Sequence, residues 1–131
     1  MSVVLDSSAT LAWIYLAENC LAWSLTKGAW VPGIWRLDVA KVLEMGVRRG
    51  RTDADFRDAA LGDLAALPIQ VDPDTDRQAW SATIRLATTR ALTLYDAACL
   101  ELARRRGLPL ATLDKELREA AVAEGVLLLG L

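Results

Sequence analysis

The stretch that decides the fold is Leu94-Tyr95-Asp96-Ala97-Ala98-Cys99-Leu100-Glu101-Leu102-Ala103, followed after three arginines by Gly107-Leu108-Pro109-Leu110-Ala111-Thr112-Leu113-Asp114. Its first part reads as a helix over 95–106 stopped by Gly107, and its second as a short apolar strand over 108–112. A helix packed on the strand that leads back beside it can bring Asp96, in the first helical turn, and Asp114, just past the strand, to one end of a sheet. Each aspartate also has an ordinary explanation. Thr93 and Asp96 have the spacing of a capping box, and Asp114 can cap the helix after it. A third aspartate, Asp6, ends the apolar run Val3-Val4-Leu5, and three acids at strand and helix ends are candidates to hold a cation together.

Working outward, the same alternation recurs along the chain. Strands are expected over 2–6, 29–31, 69–71 and 126–129. Between them lie a helix capped by Ser7 or Ser8 and carrying Leu11, Ile14 and Tyr15, a second helical segment over 18–27, and a mostly buried helix over 35–49 closed by Gly50. Thr52 is expected to cap a further helix, and the acidic run Asp72-Pro73-Asp74-Thr75-Asp76 reads as a solvated turn opening a helix with Trp80, Ile84 and Leu86. A last helix runs from 115 to about 123. Brief apolar strands alternating with longer helices indicate one α/β domain over 1–131, a short parallel sheet covered by helices on both faces. Ligands of such sheets gather beyond the carboxyl ends of the strands, where Asp6 and Asp114 fall.

Composition narrows the chemistry. At 131 residues the chain has room for one domain with a sizeable core. The hydrophobic fraction of 53% is high, yet charges interrupt every apolar run before the length of about 20 residues that spans a bilayer. The excess apolar content is expected to serve the core and a partner surface. The start, Met1-Ser2-Val3-Val4-Leu5, lacks a basic segment and meets Asp6 at once, so a cytoplasmic protein is expected. Cys20 and Cys99 have no paired spacing and read as small core residues in a reducing compartment. With no histidine and two cysteines, a Cys/His zinc site cannot be built, and any metal has to be a hard ion held by oxygen. The lack of histidine also removes the commonest general base. A hydrolase of this composition would have to activate water with a metal ion or a carboxylate. A net charge of −2 does not suit coating nucleic acid through bulk charge, so contact would need a local basic patch.

Taken together, Val4-Leu5-Asp6-Ser7-Ser8, the segment from Pro32 to Arg51, Tyr95-Asp96-Ala97-Ala98 and Ala111-Thr112-Leu113-Asp114-Lys115 resemble the PIN domain, specifically the VapC-type toxins of bacterial toxin–antitoxin pairs. The resemblance covers nearly the whole chain. It implies a fourth acid in the helix after the second strand, carried onto Asp38, where that family usually has glutamate. Glu44, six residues on, lies on a different side of the helix. Two departures are visible: Lys41 stands where such proteins usually carry asparagine, and Cys99 replaces the usual aromatic. Lys41 shares a helix face with Asp38 and can either contact an RNA phosphate or neutralise that acid.

The resemblance implies RNA phosphodiester hydrolysis by Asp6, Asp38, Asp96 and Asp114, acting as both catalytic residues and metal ligands. A carboxylate-rich, all-oxygen set suits magnesium (Mg2+) or manganese (Mn2+). Ser8 and Thr112, beside the acids, are candidates to orient carboxylate, water or phosphate. A homodimer and inhibition by a cognate antitoxin are also implied, the antitoxin docking on the early helices that carry Trp13 and Trp23. The tryptophans, with Trp30, Trp35 and Trp80, read as core and interface residues. The arginines at 48, 49 and 51 and at 104–106 are expected on solvated helix ends, where they favour the helix dipole, with phosphate guidance as the second reading. Two other functions compete: a catalytically weak PIN-like module that binds RNA or a partner, and a phosphoacceptor domain. The latter expects adjacent acids after the first strand, and Asp6-Ser7-Ser8 offers one.

Overall fold

The computed structural model describes residues 2–16 and 28–129. The helix expected over 18–27, with Cys20 and Trp23, lies outside the described residues, as does the side chain of Trp13. Four strands, β1 (Val3–Leu5), β2 (Ala29–Val31), β3 (Ile69–Val71) and β4 (Leu110–Ala111), form one parallel sheet in the order β3-β2-β1-β4. β1 is central, pairing Val4 with Trp30 on one side and with Leu110 on the other. The strand expected over 108–112 is only two residues long. Pro109 has no N–H to give the ladder, and at the other end the Thr112 carbonyl is taken by the Arg118 guanidinium at 3.0 Å. With so short an edge, the strand expected over 126–129 is reduced to a single parallel bridge between Leu110 and Leu128.

Seven α-helices are described: α1 (Ser7–Leu16), α2 (Trp35–Arg48), α3 (Ala54–Ala65), α4 (Thr75–Gln78), α5 (Ile84–Arg90), α6 (Leu94–Arg106) and α7 (Lys115–Ala123). Residues Ala79–Thr83 join α4 to α5 as a π-helical turn, so the helix expected through Trp80 and Ile84 is continuous but locally widened. The sheet separates two cores because neighbouring strand residues point to opposite faces. Val3, Leu5, Ala29, Val31 and Ala111 pack with Trp35, Val39, Leu43 and Leu64, on the side of α1, α2 and α3. Val4 and Leu110 pack with Leu86, Leu100, Leu102 and Leu117, on the side of α5, α6 and α7. The single α/β domain and its helix-covered parallel sheet are thus as expected. Each fully buried leucine here, such as Leu100 or Leu117, contributes about 1.5–3 kcal/mol through burial. No helix among the described residues is long and apolar enough to cross a membrane.

Several local expectations are corrected. α1 is capped by Asp6 rather than by Ser7 or Ser8: the Ala9 amide donates to Asp6 Oδ1 at 2.9 Å. α3 is capped by Asp53, which accepts from the Phe56 amide at 2.8 Å. Thr52 fails as the cap because its Oγ1 is buried against Gly46, where a Cβ would lie 3.2 Å from it, and the hydroxyl has no hydrogen-bond partner. Trp35 is a core residue and donates its indole N–H to Thr10 Oγ1 at 3.2 Å. Trp80, by contrast, is 94% exposed.

The largest correction concerns Asp72, expected in a solvated turn. Its side chain is wholly buried, and Arg105 donates to it at 2.6 Å and 3.2 Å and Arg106 at 3.0 Å. Arg105 also grips Glu101 one turn earlier on α6, and Arg106 lies 3.7 Å over the Trp30 ring. Arg104 pairs with Glu124 at 3.0 Å. The arginines at 104–106 therefore tie α6 to the sheet edge and to the turn after α7.

Candidate metal centre

β1 carries the chain directly into Asp6, which is 3% exposed. Its carboxylate receives the Ser8 hydroxyl at 2.8 Å, the Ala9 amide at 2.9 Å and the Thr112 hydroxyl. Each hydroxyl has a single proton, and both protons are directed at Asp6. The Ser8 and Thr112 oxygens in turn accept the Leu113 and Asp114 amides, each at 3.1 Å. The end of β4 is thereby locked to the end of β1. Burial raises the Asp6 pKa above the ordinary carboxylate range, against the lowering effect of these bonds, and the charge of Asp114 adds to the rise.

Asp96 stands in the first turn of α6, where Thr93 is the cap and accepts the Asp96 amide at 3.2 Å. Burial first, then the charges of Asp114, Asp6 and Asp38, push its pKa up to about 6, with the Thr93 hydroxyl opposing. This single group therefore senses all three other candidate acids. Asp38 lies in the first turn of α2. Glu44, further along that helix, is bound to Arg57 at 2.8 Å and Arg48 at 3.5 Å, so it is committed to the α2–α3 contact. Asp114 caps α7 through the Leu117 amide at 2.9 Å. The capping explanations of the Asp96 region and of Asp114 are thus real, and they coexist with the gathering of charge.

Among the described residues, none of Asp6, Asp38, Asp96 and Asp114 has a lysine or arginine within ion-pair distance. Nor, among them, is any group of three His, Cys, Asp or Glu side chains arranged to hold a metal ion directly. Carboxylates that raise each other's pKa repel, and a bound cation would relieve that repulsion. The donor set fits a hard ion bound through one or two carboxylates with waters filling the rest, which is how magnesium is usually held.

Two contacts in this region were not expected from the sequence. Lys41 does not pair with Asp38 but lies 5.7 Å from the centre of the Tyr95 ring, at the edge of the acid group. Adjacency of Tyr95 to Asp96 was the available signal. Arg118 donates to the Thr112 carbonyl at 3.0 Å and fixes the turn after β4, for which the sequence carried no signal.

Comparison with known proteins agrees with this architecture. Residues 3–123 match the PIN domain, and the chain belongs to that family. PAE2754 of Pyrobaculum aerophilum is 25% identical, with a TM-score of 0.72 over 92% of this chain and 79% of its own. The Sarcin-Ricin loop cleaving toxin VapC20 of Mycobacterium tuberculosis is 19% identical, with a TM-score of 0.67 over 91% of this chain and 95% of its own. VapBC2 of Rickettsia felis, solved bound to a DNA fragment from its promoter, is 13% identical, with a TM-score of 0.70 over 100% of this chain and 99% of the matched chain. No curated protein matches the chain.

Proposed function

We propose that this PIN domain is a magnesium-dependent endoribonuclease toxin that hydrolyses RNA phosphodiester bonds and is silenced by a cognate antitoxin. The observation that carries the reading is the set of four carboxylates from four parts of the chain, uncompensated by any cation among the described residues. A protein rarely leaves such a cluster without a purpose, because each ionised group raises the cost of ionising the next. Magnesium, or manganese in its place, would supply the missing charge, activate a water and offset charge on the scissile phosphate. Asp6, Asp96, Asp114 and Asp38 would be its ligands, directly or through water.

The chain's own residues do the rest. Ser8, Thr112 and the Ala9 amide hold the Asp6 carboxylate in one orientation, so its position is set before substrate arrives. Asp96, half-buried among the other acids, is placed to take the proton of the attacking water wherever its carboxylate is not occupied by the ion. As the water oxygen bonds to phosphorus, the bond to the leaving oxygen breaks, the water's proton passes to the carboxylate, and the leaving oxygen takes up a proton from solvent. The fold likeness to VapBC2 supports an antitoxin partner. A cytoplasmic homodimer completes the proposal.

The second reading is a PIN-like binding module with little turnover, favoured by the lack of a ready three-ligand group among the described residues. Incubating the purified protein with magnesium and structured RNA separates the two. Cleavage is expected, abolished by chelator and reduced about 10²–10⁴-fold in Asp6→Asn and Asp96→Asn. Absence of cleavage in the wild type, or cleavage that survives both substitutions, removes the enzyme reading.

A further inference from the structure

One surface beside the acid cluster is left without a role. A cavity of about 660 Å3 opens along α2, with Val42 and Met45 among its lining residues and Lys41, Arg49 and Arg51 contributing three cationic side chains. All three are exposed, and none has a carboxylate partner among the described residues. The nearest acid on the helix, Glu44, is already taken by Arg48 and Arg57. Thr52, whose Oγ1 has no hydrogen-bond partner, lines the same cavity.

The cationic row begins where the acids end. Lys41 lies one turn beyond Asp38 on α2 and over the ring of Tyr95, the residue before Asp96. Positions 38, 41, 45 and 49 recur at helical spacing, so the row runs along one side of α2 and its continuation, covering about 16 Å at 1.5 Å per residue. We infer that this groove holds the sugar–phosphate backbone of a single RNA strand as it leaves the acid cluster, with Lys41, Arg49 and Arg51 meeting phosphates along its length. The inference rests on the ribonuclease reading and adds the path of the substrate. An acidic peptide would satisfy the same charges. Nucleic acid is favoured because the row is continuous with the acids, so one ligand reaches both. The apolar floor can take a base turned out of the stack.

The test is fluorescence anisotropy of a labelled single-stranded oligoribonucleotide, titrated with the full chain in chelator so that nothing is cleaved, over a series of salt concentrations. In Arg49→Gln/Arg51→Gln, affinity is expected to fall about tenfold or more. The slope of log K against log salt should shrink by about 1.4, at roughly 0.7 per lost phosphate contact. Arg49→Lys/Arg51→Lys keeps the charge and should restore the slope. Both positions are exposed, so equal melting temperatures are expected and would show that the fold is intact. Wild-type protein that binds and cleaves RNA, paired with a glutamine variant of unchanged affinity and slope, overturns the groove alone and leaves the ribonuclease reading standing. Wild-type protein that neither binds nor cleaves RNA removes both. A polyglutamate peptide that binds the wild type and is lost in the glutamine variant, with RNA binding unaffected, would reassign the groove to a protein partner.

Discussion

Asp6 and Asp72 are the same residue in the same kind of place. Each comes directly after a strand, β1 or β3, and each is almost wholly buried, at 3% and 2% exposure. Their surroundings differ in the presence of cations, and the Asp72 carboxylate is also less deeply enclosed by the rest of the fold. Burial would raise the Asp72 pKa, but hydrogen bonds from Arg105, Thr75 and Arg106 outweigh it and hold the group at about 2. Asp6 is equally well hydrogen-bonded, yet its partners are neutral and its charged neighbour is Asp114, so its pKa rises. Hydrogen bonds alone do not offset the burial of a carboxylate here, whereas two guanidinium groups do. A buried acid that brings its own counter-charge is a finished structural element. One without it keeps an electrostatic cost that a bound cation would offset.

Substitution should therefore act in opposite directions at the two places. Asp72→Asn leaves Arg105 and Arg106 without their shared partner. It should cost about 2–4 kcal/mol, somewhat below the usual figure for a broken buried pair because both arginines reach solvent. Asp96→Asn removes a repelled charge and should stabilise the metal-free protein at neutral pH by up to about 1 kcal/mol, discounted because the side chain is only half-buried. Urea denaturation in chelator measures both. A destabilised Asp96→Asn, or an unaffected Asp72→Asn, would erase the contrast on which the functional reading depends.

The two sites also titrate with opposite signs. The Asp72 pKa is lowered from an ordinary 3.8 to about 2, so its contribution is present above about 3.8 and is lost as pH falls through about 2. That limb amounts to about 2 kcal/mol. The Asp96 pKa is raised from 3.8 to about 6, so its contribution is full below about 3.8 and is lost as pH rises through about 6. Metal-free protein should thus be most stable near pH 4. Asp72→Asn should flatten only the acid limb and Asp96→Asn only the upper one. Midpoints of urea unfolding between pH 2 and 7 test this, and a profile rising steadily through pH 6 would contradict the assignment at Asp96.

Asp6 and Asp114 were visible in the sequence because they follow apolar strands and Asp96 because it opens a helix, whereas Asp38 came only with the family resemblance. Val3-Val4-Leu5 can only be a buried strand, and the next residue must emerge at the sheet's carboxyl edge. Asp72 comes after an equally plain strand but was hidden by its neighbours, since Pro73, Asp74 and Asp76 gave the whole run the look of a solvated turn. Its partners lie more than 30 positions away on α6. Only the Glu101–Arg105 spacing of four was a local hint that this helix end was not simply facing water. Thr52 was the expected cap and Asp53 takes that place, a choice that depended on Gly46, which lets the Thr52 side chain fold under α2. Such selections are made by tertiary contact and carry no periodicity.

The smallest expected effect is also the one that sharpens the contrast most finely, because it adds or removes a cation at the edge of the acid cluster. Lys41 is exposed and rests on Tyr95 rather than on Asp38, so it offsets the cluster only at a distance and through solvent. Lys41→Asn should therefore tighten magnesium binding, by about two- to threefold at low salt, with the gain fading as salt screens the charge. The same substitution removes a phosphate contact and should weaken binding of a single-stranded oligoribonucleotide. Calorimetry with magnesium and anisotropy with RNA would then move in opposite directions for one residue. If both weakened together, Lys41 would be helping to shape the acid cluster rather than diluting its charge, and Asp38 would lose its place as a ligand.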